Sequence, residues 1–372
     1  MSIQKSNSDN EDIEGLGKDE DAGWGEYPID TVLIRNENRT VHDVLRRIEK
    51  GTFVMNPDFQ RDFIWPQDKQ SKLIESVLMR IPLPVFYLAE DEKGRMVVVD
   101  GLQRLSTFRR FVNNELQLKL PSQDELDNKK FENLSPKLQN RVEDCNLILY
   151  VIDAKVPEKA RLDIFERVNS GIPLTRQQMR NSLYMGPATH FLKVEAETKL
   201  FIKATGGSLK TSTMRDREFV NRFCAFQLIP IDQYKGDMDE FLALALKKMN
   251  AMGERKLQKL SAEFRTSLAN NYKVFGQHAF RKHVNGRDIR SVLNASLWDV
   301  MSTGLSHYPE NIVEARTEGL KCAFFKMLSG GETEELNFTK SITYGPNDMR
   351  KVKFRFAAAK AMFQEVLGAY SD

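Results

Sequence analysis

The apolar residues in the first half of the chain fall into short runs separated by polar turns. Residues 85–88 and 96–99 are two such runs, and the polar segment between them contains Gly94. Apolar runs of this length, bounded by turn residues, are typical of buried strands. The pattern predicts a β-hairpin here, a further buried strand over residues 147–152, and a short strand over residues 31–34.

Helices are predicted between these strands, where apolar residues recur at helical spacing. Thr40 and Asp43 resemble a capping pair that opens a helix ending near Gly51. Thr175 and Gln178 form a capping box in front of a later helix. The other helices predicted in this half begin at Pro66, after Gly101 and at Ala160.

The pattern changes near residue 186, beyond which strands are hard to find and amphipathic helices dominate. The change predicts the fold class α+β: an α/β domain over residues 28–185 followed by an all-helical domain over residues 186–372. Residues 1–27, poor in apolar side chains, are predicted to form a disordered acidic tail. The helices predicted in the second half cover residues 219–226, 238–252, 256–269, 288–301, 311–327 and 348–367.

The net charge of +3 is unevenly distributed along the chain. Residues 1–26 contain eight acidic residues and two lysines, a balance of −6, so the remainder carries +9. A basic body with an acidic tail suits a nucleic-acid partner, with the tail competing for the same surface. The alternative is a solubilising tail attached to an ordinary basic surface.

Several classes of protein are disfavoured by composition. No apolar run approaches the roughly 20 residues that span a bilayer, and the N-terminus is polar and acidic, unlike a signal peptide. A cytoplasmic protein with no membrane partner is therefore expected. The three cysteines, Cys145, Cys224 and Cys322, are far apart among apolar neighbours and are predicted to be buried thiols.

The segment VVVDGLQR at residues 97–104 ends a predicted strand and begins a predicted helix. The amide groups at a helix N-terminus favour an anion, and Gly101 permits close approach of a ligand. Arg104 is predicted to bind a phosphate, Gln103 to add a donor, and Asp100 to hold a divalent cation such as Mg²⁺ or to orient Arg104. Alternatively, Asp100 simply caps the helix and Arg104 lies on its solvated face.

Two further segments carry polar residues typical of binding sites. In the segment over residues 59–65, Gln60 and Arg61 alternate with large apolar residues outside any regular element. Trp65 there either stacks on a base or anchors the loop. Asn169 ends a predicted helix, where its amide faces a cleft or forms an ordinary cap and turn.

These three segments together resemble the N-terminal domain of GmrSD-type modification-dependent restriction systems, which belongs to the ParB/sulfiredoxin-like superfamily. Gln60-Arg61 before a tryptophan, Asp100-Gly-x-Gln-Arg104, and IFERVNSGIPLTRQQMRNSLY at residues 164–184 occur in the same order and at similar spacing. The resemblance covers residues 28–185 and implies a ParB/sulfiredoxin-like fold for that domain. Each motif alone is weak, whereas the combination is specific.

The family hallmark Asp-Gly-Gln-Gln-Arg is associated with nucleotide binding and hydrolysis and, in some members, with DNA nicking in defence against phage. The resemblance therefore implies a catalytic role for Asp100 and Arg104 and phosphate binding by Gly101, Gln103 and Arg104, with Gln60 and Arg61 facing the same cleft. The implied cofactors are a nucleoside triphosphate (ATP, GTP or CTP) and Mg²⁺. This sequence has Leu102 where the family prefers Gln, which is harmless only where the side chain faces the core.

Three functions follow as competing hypotheses: a nucleoside triphosphatase, a Mg²⁺-dependent DNA endonuclease that nicks DNA, and a non-enzymatic ParB-like regulator. The regulator would use nucleotide or DNA to switch conformation or to recruit a separately encoded nuclease. DNA is an expected partner under each hypothesis, and a homo-oligomer is one alternative for the assembly of the protein. An HNH or zinc site is not expected, because only His278 and His283 of the five histidines are close in sequence. The basic residues Arg281, Lys282, Arg287 and Arg290 either contact a phosphate backbone or form a solvated face.

Overall fold

The structure, a computed structural model, describes residues 13–16, 33–55, 65–91, 93–168, 174–283, 290–330 and 336–368. The chain divides into two compact units. Trp24–Leu183 forms the N-terminal unit, and Tyr184–Asp372 forms the helical unit together with the segment that contains strand β1 (Ile13–Glu14).

A five-stranded mixed sheet organises the N-terminal unit, with strand order β2-β6-β4-β5-β3. The predicted hairpin is confirmed, since β4 and β5 pair antiparallel around a turn in which Gly94 has a φ of 73°. β6 pairs parallel with β4 and antiparallel with β2, and β3 pairs parallel with β5. The strands are β2 (Ile34–Thr40), β3 (Phe53–Val54), β4 (Phe86–Glu90), β5 (Met96–Asp100) and β6 (Asn146–Ile152).

The described residues of this unit include six α-helices that accompany the sheet, and their apolar faces complete its core. Phe108 and Phe111 of one helix and Ile74 of another are fully buried with Phe86 and Leu88 of the sheet. The helices are α1 (Val41–Glu49), α2 (Gln67–Leu78), α3 (Leu102–Val112), α4 (Pro136–Glu143), α5 (Glu158–Val168) and α6 (Arg176–Leu183).

The part of the helical unit that the structure describes contains ten α-helices and a two-stranded parallel pair of β1 with β7 (Leu293–Asn294). Its core is aromatic around Trp298, whose ring centroid lies 5.2 Å from that of Phe219 and 5.8 Å from that of Phe201. The helices are α7 (Pro187–Ala196), α8 (Lys199–Thr205), α9 (Arg215–Leu228), α10 (Met238–Asn250), α11 (Glu254–Phe275), α12 (Ala295–Leu305), α13 (Glu310–Ala315), α14 (Thr317–Ser329), α15 (Phe338–Thr343) and α16 (Met349–Leu367).

Mixed α/β structure with a sheet in the N-terminal region and a mostly helical C-terminal part is the predicted fold class, and the structure confirms it. Local departures are informative. Residues 13–16 fall in the predicted disordered tail, yet Ile13–Glu14 pairs with Leu293–Asn294. The helix predicted over residues 288–301 begins only at Ala295, where Asn294 caps it by accepting from the Leu297 amide.

The cysteine prediction is wrong at one position. Cys224 is buried and Cys145 is partly buried, whereas Cys322 is exposed because it lies on the outer face of α14. Burial raises the pKa of the Cys224 thiol well above its ordinary value. Across the described residues, no helix combines the length and the apolar character that crossing a membrane requires.

Candidate functional site at the turn from β5 to α3

The turn between β5 and α3 has a backbone that only glycine fits. Gly101 is the residue before the helix and has a φ of 97°, in the left-handed region that L side chains rarely adopt. A Cβ atom there would lie 2.2 Å from Cδ1 of Phe86, which is fully buried in β4. Gly101 therefore lets the helix begin in direct contact with the sheet.

Arg104 lies one turn into α3 and points its guanidinium into the protein. Nη2 donates to the Val85 carbonyl at 3.0 Å and to Oδ2 of Asp100 at 2.9 Å, and Nη1 donates to the Pro84 carbonyl. The guanidinium carbon also lies 4.1 Å from the centroid of the Phe86 ring. These contacts tie the start of α3 to the beginning of β4.

The sequence predicted that Arg104 faces a phosphate, whereas its side chain is only 9% exposed and is engaged internally. Burial lowers the pKa of Arg104, and the neighbouring Asp100 carboxylate partly opposes that shift. Of the alternatives for Asp100, orientation of Arg104 is the one that its contacts match. Arg104 thus acts as a positioning residue that holds the turn.

Asp100 keeps one carboxylate oxygen available. Oδ2 accepts from Arg104, and Oδ1 has no partner among the described residues, while the side chain is 35% exposed. Asp100 does not cap α3, because no described side chain accepts from the amides of its first turn. Within the described ranges, the turn therefore leaves the first-turn amides of α3 and one carboxylate oxygen of Asp100 without hydrogen-bond partners.

Gln103 joins the turn to the segment that precedes α2. Its Oε1 accepts from the Trp65 amide at 3.0 Å, and its own amide nitrogen has no acceptor within the described part of the chain. Trp65 packs against the core beneath Lys69, whose Nζ lies 4.4 Å from the ring centroid, so Trp65 anchors the loop. Gln60 and Arg61, predicted to face the same cleft, lie outside the described residues.

The third segment of the resemblance lies beside the same strand, since α5 and α6 both contact β5. The predicted capping box is confirmed: the Gln178 amide donates to Oγ1 of Thr175 at 3.2 Å, and the Thr175 amide donates to Oε1 of Gln178 at 2.7 Å. Arg176 pairs with Asp163 at 2.9 Å and so links the two helices. Asn169 lies outside the described residues.

Leu102 stands where the family prefers Gln, so the surroundings of its side chain bear on the motif. Its side chain is partly buried and packs against the core of the N-terminal unit. This packing matches the core-facing case, in which leucine is expected to be harmless.

Metal-binding potential at the turn rests on Asp100 alone among the described residues. No group of three or more His, Cys, Asp or Glu side chains in the described ranges could hold a metal. A single carboxylate still fits Mg²⁺, which often takes one or two carboxylates together with substrate phosphates. A cavity of about 450 Å³ in this unit is lined by Arg80, Pro82 and Arg141, and no residue of the turn lines it.

The residues that sequence reasoning missed are those that hold the turn rather than those in its motif. Phe86 and the carbonyls of Pro84 and Val85 bind the Arg104 guanidinium from a different strand. The sequence shows only that Pro84-Val85-Phe86 begins a predicted strand. Nothing in these residues indicates that Arg104, 20 residues after Pro84, is their partner.

The class of this protein is defined by two features. The first is a mixed-sheet domain whose strand-to-helix turn carries Asp-Gly-x-Gln-Arg, and the second is a helical unit after it in the chain. A family model described as GmrSD restriction endonuclease, N-terminal domain, matches residues 41–185. That part of the chain belongs to the GmrSD N-terminal domain family, as the resemblance predicted. A comparison with curated proteins found no match.

Proposed function

We propose that this protein is a nucleic-acid-associated component of a restriction or defence system, and that its GmrSD N-terminal domain binds the phosphates of a nucleoside triphosphate at the Asp100 turn. One observation carries the proposal: among the residues that the structure describes, neither the first-turn amides of α3 nor Oδ1 of Asp100 has a partner, and both belong to the same turn. Both groups stand on a turn that buried contacts of Arg104 hold in place.

The chemistry of the turn suits a Mg²⁺-nucleotide. Unpaired amides and the positive end of the helix dipole favour phosphate oxygens. Asp100 would otherwise repel a phosphate, and Mg²⁺ bound between the carboxylate and the phosphates supplies charge neutralisation. The free amide nitrogen of Gln103 adds a neutral donor next to these groups, and Gln60, Arg61 and Asn169 are proposed as further ligands.

A calorimetric titration of the full chain with ATP, GTP and CTP in the presence of Mg²⁺ tests this proposal. Asp100→Asn keeps an oxygen that accepts from Arg104 and removes only the charge, so we expect at least tenfold weaker nucleotide binding. Asp124→Asn is the matched control, because Asp124 is exposed and contacts no described residue. Equal affinity of the two variants, or no binding by the unaltered chain, would contradict the assignment.

The inward guanidinium of Arg104 favours a regulator over a hydrolase. Arg104 uses its donors on Pro84, Val85 and Asp100, so it is not available to stabilise the charge that develops when a phosphoanhydride is hydrolysed. We therefore propose that the nucleotide switches the protein's association with DNA or with a separate nuclease. Binding without phosphate release, with and without DNA, is the expected result.

Turnover would select the triphosphatase hypothesis instead. Phosphate release that Asp100→Asn abolishes and Asp124→Asn preserves would establish it. Mg²⁺-dependent conversion of supercoiled plasmid to open circle, lost in Asp100→Asn, would select the nickase. Each assay uses the same pair of variants, so a contaminating enzyme is recognised by equal activity in both.

A further inference from the structure

Two arginines of the helical unit converge on the turn that follows α8. Gly206 and Gly207 have φ values of 67° and 66°, and Ser208 comes next in the turn. Arg281 and Arg290 both donate through Nη2 to Oγ of Ser208, at 2.8 Å and 2.7 Å. Two guanidinium groups therefore lie within reach of one hydroxyl group.

Arg281 is the buried member of the pair, with 1% of its surface exposed. Its Nη1 donates to the Ala279 carbonyl at 3.0 Å, and its Nη2 also donates to the Thr205 carbonyl at 2.8 Å. Its Nε is buried with no hydrogen-bond partner among the described residues. A buried charged donor without an acceptor is costly, so this group is incompletely satisfied.

Arg290 is the exposed member of the pair, and its guanidinium lies against the turn. Its Nη2 donates to the Gly206 carbonyl at 3.0 Å, whereas its Nε and Nη1 have no acceptor among the described residues. A Cβ atom at Gly206 would lie 2.1 Å from Nη2 of Arg290, so the guanidinium lies directly against the glycine backbone. The outer edge of this guanidinium is available to a ligand.

The pair has no counter-charge within the described part of the chain. No described carboxylate lies within ion-pair distance of Arg281 or Arg290, whereas Asp299 pairs with the buried guanidinium of Arg222 at 2.6 Å in the same unit. Burial and the neighbouring charge of Arg290 lower the pKa of Arg281 to about 10. Among the described residues, the two adjacent guanidinium groups therefore lack a carboxylate partner.

Ser208 supplies a third donor. A serine hydroxyl accepts two hydrogen bonds and donates one. Because Arg281 and Arg290 occupy both acceptor positions, the remaining capacity of Ser208 is its proton, and no described group accepts it. Two guanidinium groups and a hydroxyl donor around one point match the several acceptor oxygens of a tetrahedral oxyanion.

We propose that Arg281, Arg290 and Ser208 form a binding site for a phosphate group in the helical unit. The site lies outside residues 41–185 and is independent of the nucleotide site proposed at Asp100. Its ligand is a phosphate with at least two free oxygens, supplied either by inorganic phosphate or by the backbone or end of a nucleic acid.

Thermal unfolding and calorimetry of the full chain with inorganic phosphate test this site, with chloride at equal ionic strength as the reference. We expect phosphate to raise the melting temperature and Arg290→Gln to weaken phosphate binding at least tenfold. Arg255→Gln is the matched control, because Arg255 is an exposed cation of α11 that contacts no described residue. Phosphate binding that is absent from the unaltered chain, or equal in the two variants, would overturn the proposal.

Ser208→Ala provides a second variant that keeps both charges, and we expect it to weaken phosphate binding several-fold. Binding unchanged in Ser208→Ala would overturn the three-donor arrangement. A 5′-phosphorylated DNA oligonucleotide then separates the sources of phosphate. Competition between the oligonucleotide and inorganic phosphate would support the nucleic-acid source, and phosphate binding without competition would support the free anion.

The two proposed sites fail separately in these measurements. Asp100→Asn is expected to leave inorganic phosphate binding at Arg290 unchanged, and Arg290→Gln is expected to leave nucleotide binding at Asp100 unchanged. Loss of phosphate binding in Asp100→Asn would overturn the assignment of the phosphate to Arg281 and Arg290. Loss of nucleotide binding in Asp100→Asn tests only the proposed function and does not bear on the phosphate site at Arg281 and Arg290.

Discussion

At the scale of single residues, Arg104 has a role different from the one its place in the motif suggests. Three acceptors and the face of Phe86 surround the guanidinium, and its nearest charged partner is Asp100. The motif thus combines a structural arginine with exposed backbone groups, and ligand binding falls to the amides and Asp100. Substitution of Arg104 should therefore lower mainly the stability of the protein, and substitution of Asp100 should lower mainly its affinity for the ligand.

Replacement of Arg104 is expected to lower the free energy of unfolding, because its role at the turn is structural. Arg104→Gln leaves the Pro84 and Val85 carbonyls and the Asp100 carboxylate short of donors. Removal of one partner from a buried pair typically costs about 3–5 kcal/mol, and the partial exposure of Asp100 reduces this to about 2–3 kcal/mol. Urea unfolding measures the change, and Arg109→Gln on the same helix, whose side chain contacts no described partner, should cost under about 0.5 kcal/mol.

Gly101 and Gly51 form a matched pair of substitutions. Both have positive φ values, 97° and 70°, but a Cβ atom meets Phe86 at Gly101 and meets nothing within 4 Å at Gly51. Gly51→Ala should cost the backbone strain alone, about 1 kcal/mol, and Gly101→Ala should add overpacking for about 2–4 kcal/mol in total. Equal free energies of unfolding would show that Phe86 yields to the methyl group.

At the scale of elements, the sequence predicted the elements that depend on local signals well, but it predicted the bounds of the polar edge strand β2 poorly. The β4–β5 hairpin and the caps at Thr40 and Thr175 depend on neighbouring residues, so the sequence contains them. β2 was predicted over residues 31–34 and instead covers Ile34–Thr40, because an edge strand with the sequence IRNENRT pairs through its backbone without apolar alternation. The ladder with β6 that stabilises it is a tertiary contact.

Helix α1 should lose a small part of its stability in acid. The Asp43 carboxylate accepts from Arg46 at 2.7 Å, from Arg39 at 2.8 Å and from Arg47 at 3.0 Å, and these arginines lower its pKa. A lowered pKa means that the stabilisation is present above the ordinary carboxyl range and is lost as the pH falls through the folded-state value.

Asp43→Asn should therefore destabilise the protein by about 0.5–1 kcal/mol at pH 7, a modest value because the carboxylate is one quarter exposed. The difference from the unaltered chain should shrink progressively as the pH falls from 7 to below the ordinary carboxyl range. Urea unfolding of both proteins across this range measures it. A difference that stays constant with pH would mean that Asp43 acts through packing and not through its charge.

At the scale of the whole molecule, the sequence predicted which segments form the candidate site better than it predicted their contacts. The order and spacing of the motifs predicted that the Asp100 turn, the segment that includes Trp65 and the capping box of α6 lie together. Among the described residues, Gln103 accepts from the Trp65 amide, and α6 contacts β5. The inward direction of Arg104 depends on Pro84 and Val85, which only the folded sheet brings there. Predicting it requires the tertiary structure.

The helical unit has a different kind of core, because it contains buried charges. Asp299 is fully buried on α12 and accepts from Arg222 at 2.6 and 2.7 Å and from Arg355 at 3.2 Å. The Arg355 guanidinium also donates to the Pro346 carbonyl. Burial lowers the pKa of Arg355 to about 10, while the carboxylate of Asp299 opposes that shift. One carboxylate thus compensates two guanidinium groups from α9 and α16.

Asp299→Asn should consequently destabilise the helical unit by about 3–5 kcal/mol, because two buried cations lose the only described carboxylate within ion-pair distance. Hydrogen exchange followed by mass spectrometry resolves the effect by segment. We expect faster exchange in α9, α12 and α16 and unchanged exchange in β4, β5 and β6, since the network lies within one compact unit. Asp232→Asn, at an exposed position of the same unit, should change neither set. Faster exchange in the sheet of the Asp299 variant would instead show that the two units unfold cooperatively.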